Sequence, residues 1–145
     1  MIFVDTSAWL AVSDIRDGNH GLALAEHKDL VSGKVGRLIT TDYVLDETLT
    51  LLRKRTRPEA AREFLDGLEA SRSVQVVWVG QNHFNLAKAE FLDQGSRAWS
   101  FTDCTSFAVM RELGIACAFA FDGDFLEAGF EVRPSSDPRR RRRGR

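Results

Sequence analysis

The sequence predicts an α/β domain of the three-layer kind, with a central, mostly parallel sheet flanked by helices. Three observations lead there. Ile2-Phe3-Val4, Val74-Gln75-Val76-Val77-Trp78-Val79 and Cys117-Ala118-Phe119-Ala120-Phe121 are short apolar runs of strand length. Stretches with apolar residues at helical spacing separate them, and strands that alternate with such helices build parallel sheets. With 145 residues and no internal repeat, the chain is about one domain long and can bury a single sizeable core.

Ile2-Phe3-Val4 gives the first strand. Asp5-Thr6-Ser7 then supply capping side chains for a helix through Trp9-Leu10-Ala11-Val12. A second helix is expected over 19–30, ended by Ser32-Gly33, and a short, weakly marked strand over 37–40. The helix over 42–55 is clear, because Val44, Leu45, Thr48, Leu49 and Leu52 share one face. Pro58 opens the next helix at its first turn, through Phe64, Leu65 and Leu68. The run 74–79 is the best strand in the chain. Helices over 81–93 and 102–113, the strand 117–121 and a short last strand at 130–132 complete the domain. Trp9, Trp78 and Trp99 are expected to be packing residues. Residues 1–133 form the domain, and 134–145, which open Pro-Ser-Ser-Asp-Pro and continue in arginine, read as a disordered tail.

No apolar run reaches the roughly 18 to 20 residues of a membrane helix, and the first residues lack the pattern of a signal peptide. Cys104 and Cys117 sit among apolar or small residues and read as buried thiols in a reducing compartment, so a cytoplasmic protein is expected. The formal net charge of −1 hides an asymmetry. Six arginines and Asp137 give 134–145 a net +5, which leaves −6 for 1–133. An acidic body is the wrong sign for simple capture of nucleic acid. It is the right sign for carboxylates that converge on a divalent cation, and equally for an ordinary acidic surface.

In open α/β sheets ligands bind at the carboxyl ends of the strands. Asp5 follows the first strand and Asp122 follows the strand 117–121, so both stand where that rule puts a site. Each could instead cap the next helix. Glu47 lies on a largely apolar stripe with Tyr43, Val44, Thr50 and Leu51, whereas Asp46 shares its stripe with Asp42 and points towards Arg53. A carboxylate on the core side is costly unless it is paired or binds a metal. Its competing reading is an edge-of-face Glu paired with an Arg. Asp103 stands in Ser100-Phe101-Thr102-Asp103-Cys104-Thr105-Ser106, with capping-box spacing from Ser100. Thr102, Thr105 and Ser106 add more hydroxyls than a cap uses, which suits support around a ligand. The histidines, His20, His27 and His83, have no paired spacing for zinc, and no phosphate-cradling glycine loop or nucleophile elbow occurs. A carboxylate set without histidine or thiolate partners matches Mg²⁺ or Mn²⁺. An ion so held can generate hydroxide and stabilise charge on a phosphodiester.

Together the segments Ile2-Phe3-Val4-Asp5-Thr6-Ser7, Asp42-Tyr43-Val44-Leu45-Asp46-Glu47-Thr48, Ser100-Phe101-Thr102-Asp103-Cys104-Thr105-Ser106-Phe107 and Phe121-Asp122-Gly123-Asp124-Phe125 resemble a PIN-domain ribonuclease, most closely a VapC-type toxin of a toxin–antitoxin pair. With Glu127-Ala128-Gly129-Phe130 the resemblance reaches residue 132. It implies a metal-dependent endoribonuclease that cuts single-stranded RNA with one or two Mg²⁺ or Mn²⁺ ions. Asp5, Glu47, Asp103 and Asp122 would be the catalytic acids and metal ligands, with Asp124 a second candidate for the last place. Thr6, Thr102 and Ser106 would support them. The resemblance also implies a homodimer and a cognate antitoxin that covers the acidic cleft. The tail arginines Arg139, Arg140, Arg141, Arg142 and Arg143 are no part of the family pattern and are candidates for RNA contact. Two rival readings are a phosphoryl-transfer or receiver-type α/β domain and a catalytically idle RNA- or protein-binding module. The first would need a late lysine after a strand, yet no Lys follows Lys88. The intact acids at all four motifs argue against the second.

Overall fold

The computed structural model describes residues 1–135. The run Arg139 to Arg143, and with it most of the expected tail, lies outside them. Five strands form one parallel sheet in the order β3-β2-β1-β4-β5, with β1 at Ile2–Val4, β2 at Leu38–Thr41, β3 at Val74–Val77, β4 at Cys117–Phe119 and β5 at Glu131–Arg133. Seven α-helices flank it: α1 (Thr6–Ser13), α2 (His20–Asp29), α3 (Asp42–Arg55), α4 (Pro58–Ala70), α5 (Gln81–Leu92), α6 (Phe101–Leu113) and α7 (Asp124–Glu127). The sheet is therefore wholly parallel among the described residues, one step beyond the mostly parallel expectation.

Local sequence explains most of the boundaries. α3 starts where Thr41 accepts the Val44 N–H and ends with Arg53, Lys54 and Arg55 at its negative pole. Pro58 opens α4 as expected. Gly114, at φ +64°, lets the chain leave α6 in a left-handed turn and enter β4.

The weakly marked strand expected at 37–40 forms one residue on, as β2, whose four residues are all buried between β1 and β3. Other expectations are corrected. The best-looking strand is shorter than 74–79 and forms the sheet's edge, half-buried. An edge strand with one solvated face reads well in sequence, and a short central one does not. Trp78, just past β3, is 75% exposed and so is not a packing residue, unlike Trp9 and Trp99. Both cysteines are free, but only Cys104 is buried and Cys117 is half-buried. Burial pushes both thiols up to about 11, so neither is a ready nucleophile.

A chain of rings fixes the elements that carry the acids. Phe125 packs between Phe3 at 6.0 Å and Phe107 at 5.2 Å, and Phe107 meets Trp99 and Phe130. Phe3, Phe107 and Phe125 are fully buried. Each such ring stabilises the fold by about 1.5–3 kcal/mol, and these three hold α6 and α7 against β1. On the opposite side Trp9 Nε1 donates to Thr40 Oγ1, and Thr40 Oγ1 donates to the Val4 carbonyl, which clamps α1 to β1 and β2.

Candidate active site

From β1 the chain steps outward to β2 and β3, then returns to place β4 on the other side of β1. The switch in direction leaves a crevice at the carboxyl ends of β1 and β4. The Asp5 N–H donates to the Phe119 carbonyl at 3.1 Å, joining the two strand ends. Asp5 and Asp122 both lie at this crevice. Asp122 stands three residues past β4, because the strand ends at Phe119 and not at residue 121.

Asp5 is 2% exposed. It caps α1, with Oδ2 accepting from the Ser7 N–H at 3.0 Å and from Ser7 Oγ at 2.7 Å. Asp103 closes a capping box: its Oδ2 accepts from the Ser100 N–H at 2.8 Å, and Ser100 Oγ accepts from the Asp103 N–H. Capping and site roles are therefore compatible here. In both residues the cap uses Oδ2, and Oδ1 takes no cap bond. Asp122 Oδ1 accepts from the Asp124 N–H at 3.2 Å, in the turn that opens α7.

Glu47 is half-buried and accepts from Thr6 Oγ1 at 2.8 Å, while Asp46 is exposed. Thr6, directly after Asp5, thus links Glu47 to the crevice. The hydroxyls of Thr105 and Ser106 both donate to the Thr102 carbonyl, at 2.7 and 3.0 Å. Ser106 therefore bonds its own helix and makes no hydrogen bond to the acids. The Thr102 hydroxyl has no hydrogen-bond partner among the described residues.

Electrostatics tie four of the acids together. Burial first, then the charges of Asp122 and Asp103, raise the Asp5 carboxyl well above the usual range, against the hydrogen bonds of Ser7. Burial, Asp124 and Asp122 push Asp103 up to about 6. Asp124 is raised by burial, Asp122 and Glu127, and it lies within hydrogen-bond reach of Asp103. Asp122 and Asp124 thus both belong to the group. No Lys, Arg or His forms a salt bridge with any of the four among the described residues.

An uncompensated, all-oxygen group of this kind fits a hard divalent cation, which reverses the mutual repulsion. Among the described residues no group of three or more His, Cys, Asp or Glu side chains stands ready-placed to hold a metal ion.

The sequence reading missed Ser7. Its hydroxyl donates to Asp5 and accepts from the Phe121 N–H at 3.0 Å, so it staples the end of β1 to the loop after β4. The only signal was its place in Asp5-Thr6-Ser7, which a helix cap alone explains.

Comparison with known proteins agrees with this fold. The chain is 44% identical over 135 residues to the 23S rRNA-specific endonuclease VapC20 of Mycobacterium tuberculosis, which covers 92% of this chain and 99% of that protein. It is 32% identical over 114 residues to a VapC ribonuclease of Archaeoglobus fulgidus, over 76% of this chain and 70% of the relative. The crystal structure of Mycobacterium tuberculosis VapC20, described as a Sarcin-Ricin loop cleaving toxin, superposes with a TM-score of 0.81 at 42% identity, over 92% of this chain and all of that one. The PIN domain model matches residues 2–131, which span β1 to β4, the first residue of β5 and every acid of the crevice, and the chain belongs to the PIN domain family.

Proposed function

We propose that this chain is a Mg²⁺- or Mn²⁺-dependent endoribonuclease that cuts single-stranded RNA, and that it is the toxin of a toxin–antitoxin pair. One observation carries the reading: four carboxylates gathered without a cation at the switch point of a PIN sheet, in a chain 44% identical to an rRNA endonuclease. Asp5, Asp103, Asp122 and Asp124 would hold the ion, and Glu47, oriented by Thr6, would help position the attacking water. The ion supplies a Lewis acid that lowers the pKa of bound water and offsets charge on the phosphate. Ser7 and Ser100 fix the rotamers of Asp5 and Asp103, so the reacting geometry needs little rearrangement.

By analogy with VapC20, the substrate we infer is a looped segment of ribosomal RNA. The protein is expected to act in the cytoplasm as a two-fold homodimer, and a cognate antitoxin would cover the acidic crevice. The tail from Arg139 to Arg143 would add phosphate contacts. No helix among the described residues is long and apolar enough to cross a membrane.

The test is cleavage of ribosomal RNA by the purified chain, with sites mapped by primer extension. Cutting at one or a few loop positions is expected with Mg²⁺ or Mn²⁺ and none in excess chelator. Undiminished cutting in chelator would overturn the metal mechanism, and no cutting of any RNA with either ion would overturn the ribonuclease reading.

A further inference from the structure

Trp78 is set apart from the other tryptophans. It is 75% exposed, whereas Trp9 and Trp99 are 4% and 5% exposed. It directly follows β3, so it lies at the carboxyl edge of the sheet with the acids. Val77 pairs with Thr41, and the pairing of Ile39 with Phe3 continues the same level to Asp5. Trp78 is thus one residue past the level of Asp5 and two strands away, roughly 10 Å at ~4.8 Å per strand. Its loop is fixed, because the Val79 N–H donates to Asp42 Oδ1 at 2.8 Å, at the start of the helix that carries Glu47.

Further rings continue this side of the crevice. Phe84 and Phe91, about two-fifths exposed, rest on Phe101 at 5.1 and 5.7 Å, and Phe101 also meets Tyr43. Phe101 opens the helix of Asp103 and Tyr43 lies one turn before Glu47. The body that carries these rings is acidic, at −6 over 1–133, so phosphate capture alone is a poor way for it to hold a nucleic acid. Stacking of bases on aromatic faces works for any base and does not depend on the sign of the body's charge.

We propose that Trp78 is a base-stacking residue for the RNA strand, about three stacked nucleotides (~3.4 Å each) from the phosphate held at the acids. The proposal rests on the ribonuclease reading above, and its test separates the two. The full chain is titrated in excess chelator, where nothing is cut, with a single-stranded RNA of about 12 nucleotides. Tryptophan fluorescence should be quenched, since Trp78 is the exposed indole. Trp78→Phe should lose the quench and keep most of the affinity. Trp78→Ala should weaken binding roughly five- to a hundredfold, by a similar factor at low and high salt. With Mg²⁺, Trp78→Ala should raise KM and leave kcat within about threefold, as expected for loss of uniform binding. If the unmodified chain cuts RNA and Trp78→Ala binds and cuts as well as it does, stacking is overturned and the ribonuclease reading stands. If the unmodified chain neither binds nor cuts RNA, both fall. If Trp78→Ala turns a dimer into a monomer with undiminished RNA affinity, the ring contacts a second copy and the proposal is wrong.

Discussion

Two groups of carboxylates in this molecule are treated in opposite ways. Glu26 and Asp29 on α2 receive Arg133 from the end of β5, at 2.5 and 3.2 Å. Asp5, Asp103, Asp122 and Asp124 receive no cation from the described residues, although Asp5 and Asp103 are the more deeply buried. The first group is neutralised by the chain and ties α2 to the sheet. The second keeps its repulsion, and the rings around Phe107 and Phe125 hold it together regardless. A fold tolerates such local conflict where function requires it. On the proposed function, unlike pairing in the two groups separates a device for stability from a device for chemistry.

The largest expected effect tests that separation directly. Asp5→Asn or Asp103→Asn should lower cleavage about a thousandfold or more, ~4 kcal/mol of transition-state stabilisation. The same changes should raise the melting temperature, since the amide oxygen still accepts the capping bonds and the repulsion is gone. Retained cleavage, or a lowered melting temperature, would break the comparison. Arg133→Met should act the other way round. It leaves Glu26 and Asp29 without their partner and is expected to remove about 2 kcal/mol of stability in chemical denaturation, with turnover per folded molecule unchanged. Lost turnover at full stability would mean that the two groups are not separate.

Glu47→Gln should lower turnover at least tenfold, about 1.4 kcal/mol, because it removes a charge tied to the crevice through Thr6 and keeps the size. Asp46→Asn, on the exposed side of the same helix, should stay within about threefold. A smaller effect is expected from pH. Asp103 is raised from 3.8 to about 6, so the stability present below 3.8 is lost as pH rises through about 6. Its neighbour Asp124, raised by burial and by Asp122, adds to the loss when it ionises. The melting temperature of the metal-free chain should fall across that window, and Asp103→Asn should flatten the fall. An equal fall in the variant would assign it to other groups. The smallest effect concerns cations supplied by the tail. Removing the residues after Pro138 should lower the salt slope of RNA binding by roughly 0.7 per lost phosphate contact, and an unchanged slope would leave the tail no such part.

Much of this arrangement is legible in the sequence, for identifiable reasons. α3 follows its apolar spacing from Asp42 to Arg55, and the phase of that spacing alone sets Glu47 inward and Asp46 outward. Asp5, Asp103 and Asp122 stand beside strand and helix boundaries that local composition marks. What escapes is tertiary. β2 is four buried residues without alternation, recognisable only by its partners β1 and β3. The Ser7 bond to Phe121 spans 114 positions, and no local pattern announces it. Trp78 has the composition of a core residue and lies outside the core because β3 is an edge.

That long span also bears on how the protein is made. β1 lies between β2, which follows it closely in the chain, and β4, whose pairing residues Ala118 and Phe119 come more than a hundred positions later. Chains emerge from the ribosome N-terminus first, at about 5–20 residues per second. A nascent chain can therefore dock β1 on β2 early, yet it owns a single acid of the gathered four until residue 103 has been exposed. The crevice closes only when β4 and the turn through Asp124 arrive. If the substrate is ribosomal RNA, as proposed above, this order of assembly would delay the nuclease until translation of the chain is nearly over. On that reading the growing polypeptide would lack its assembled group of acids for most of its synthesis.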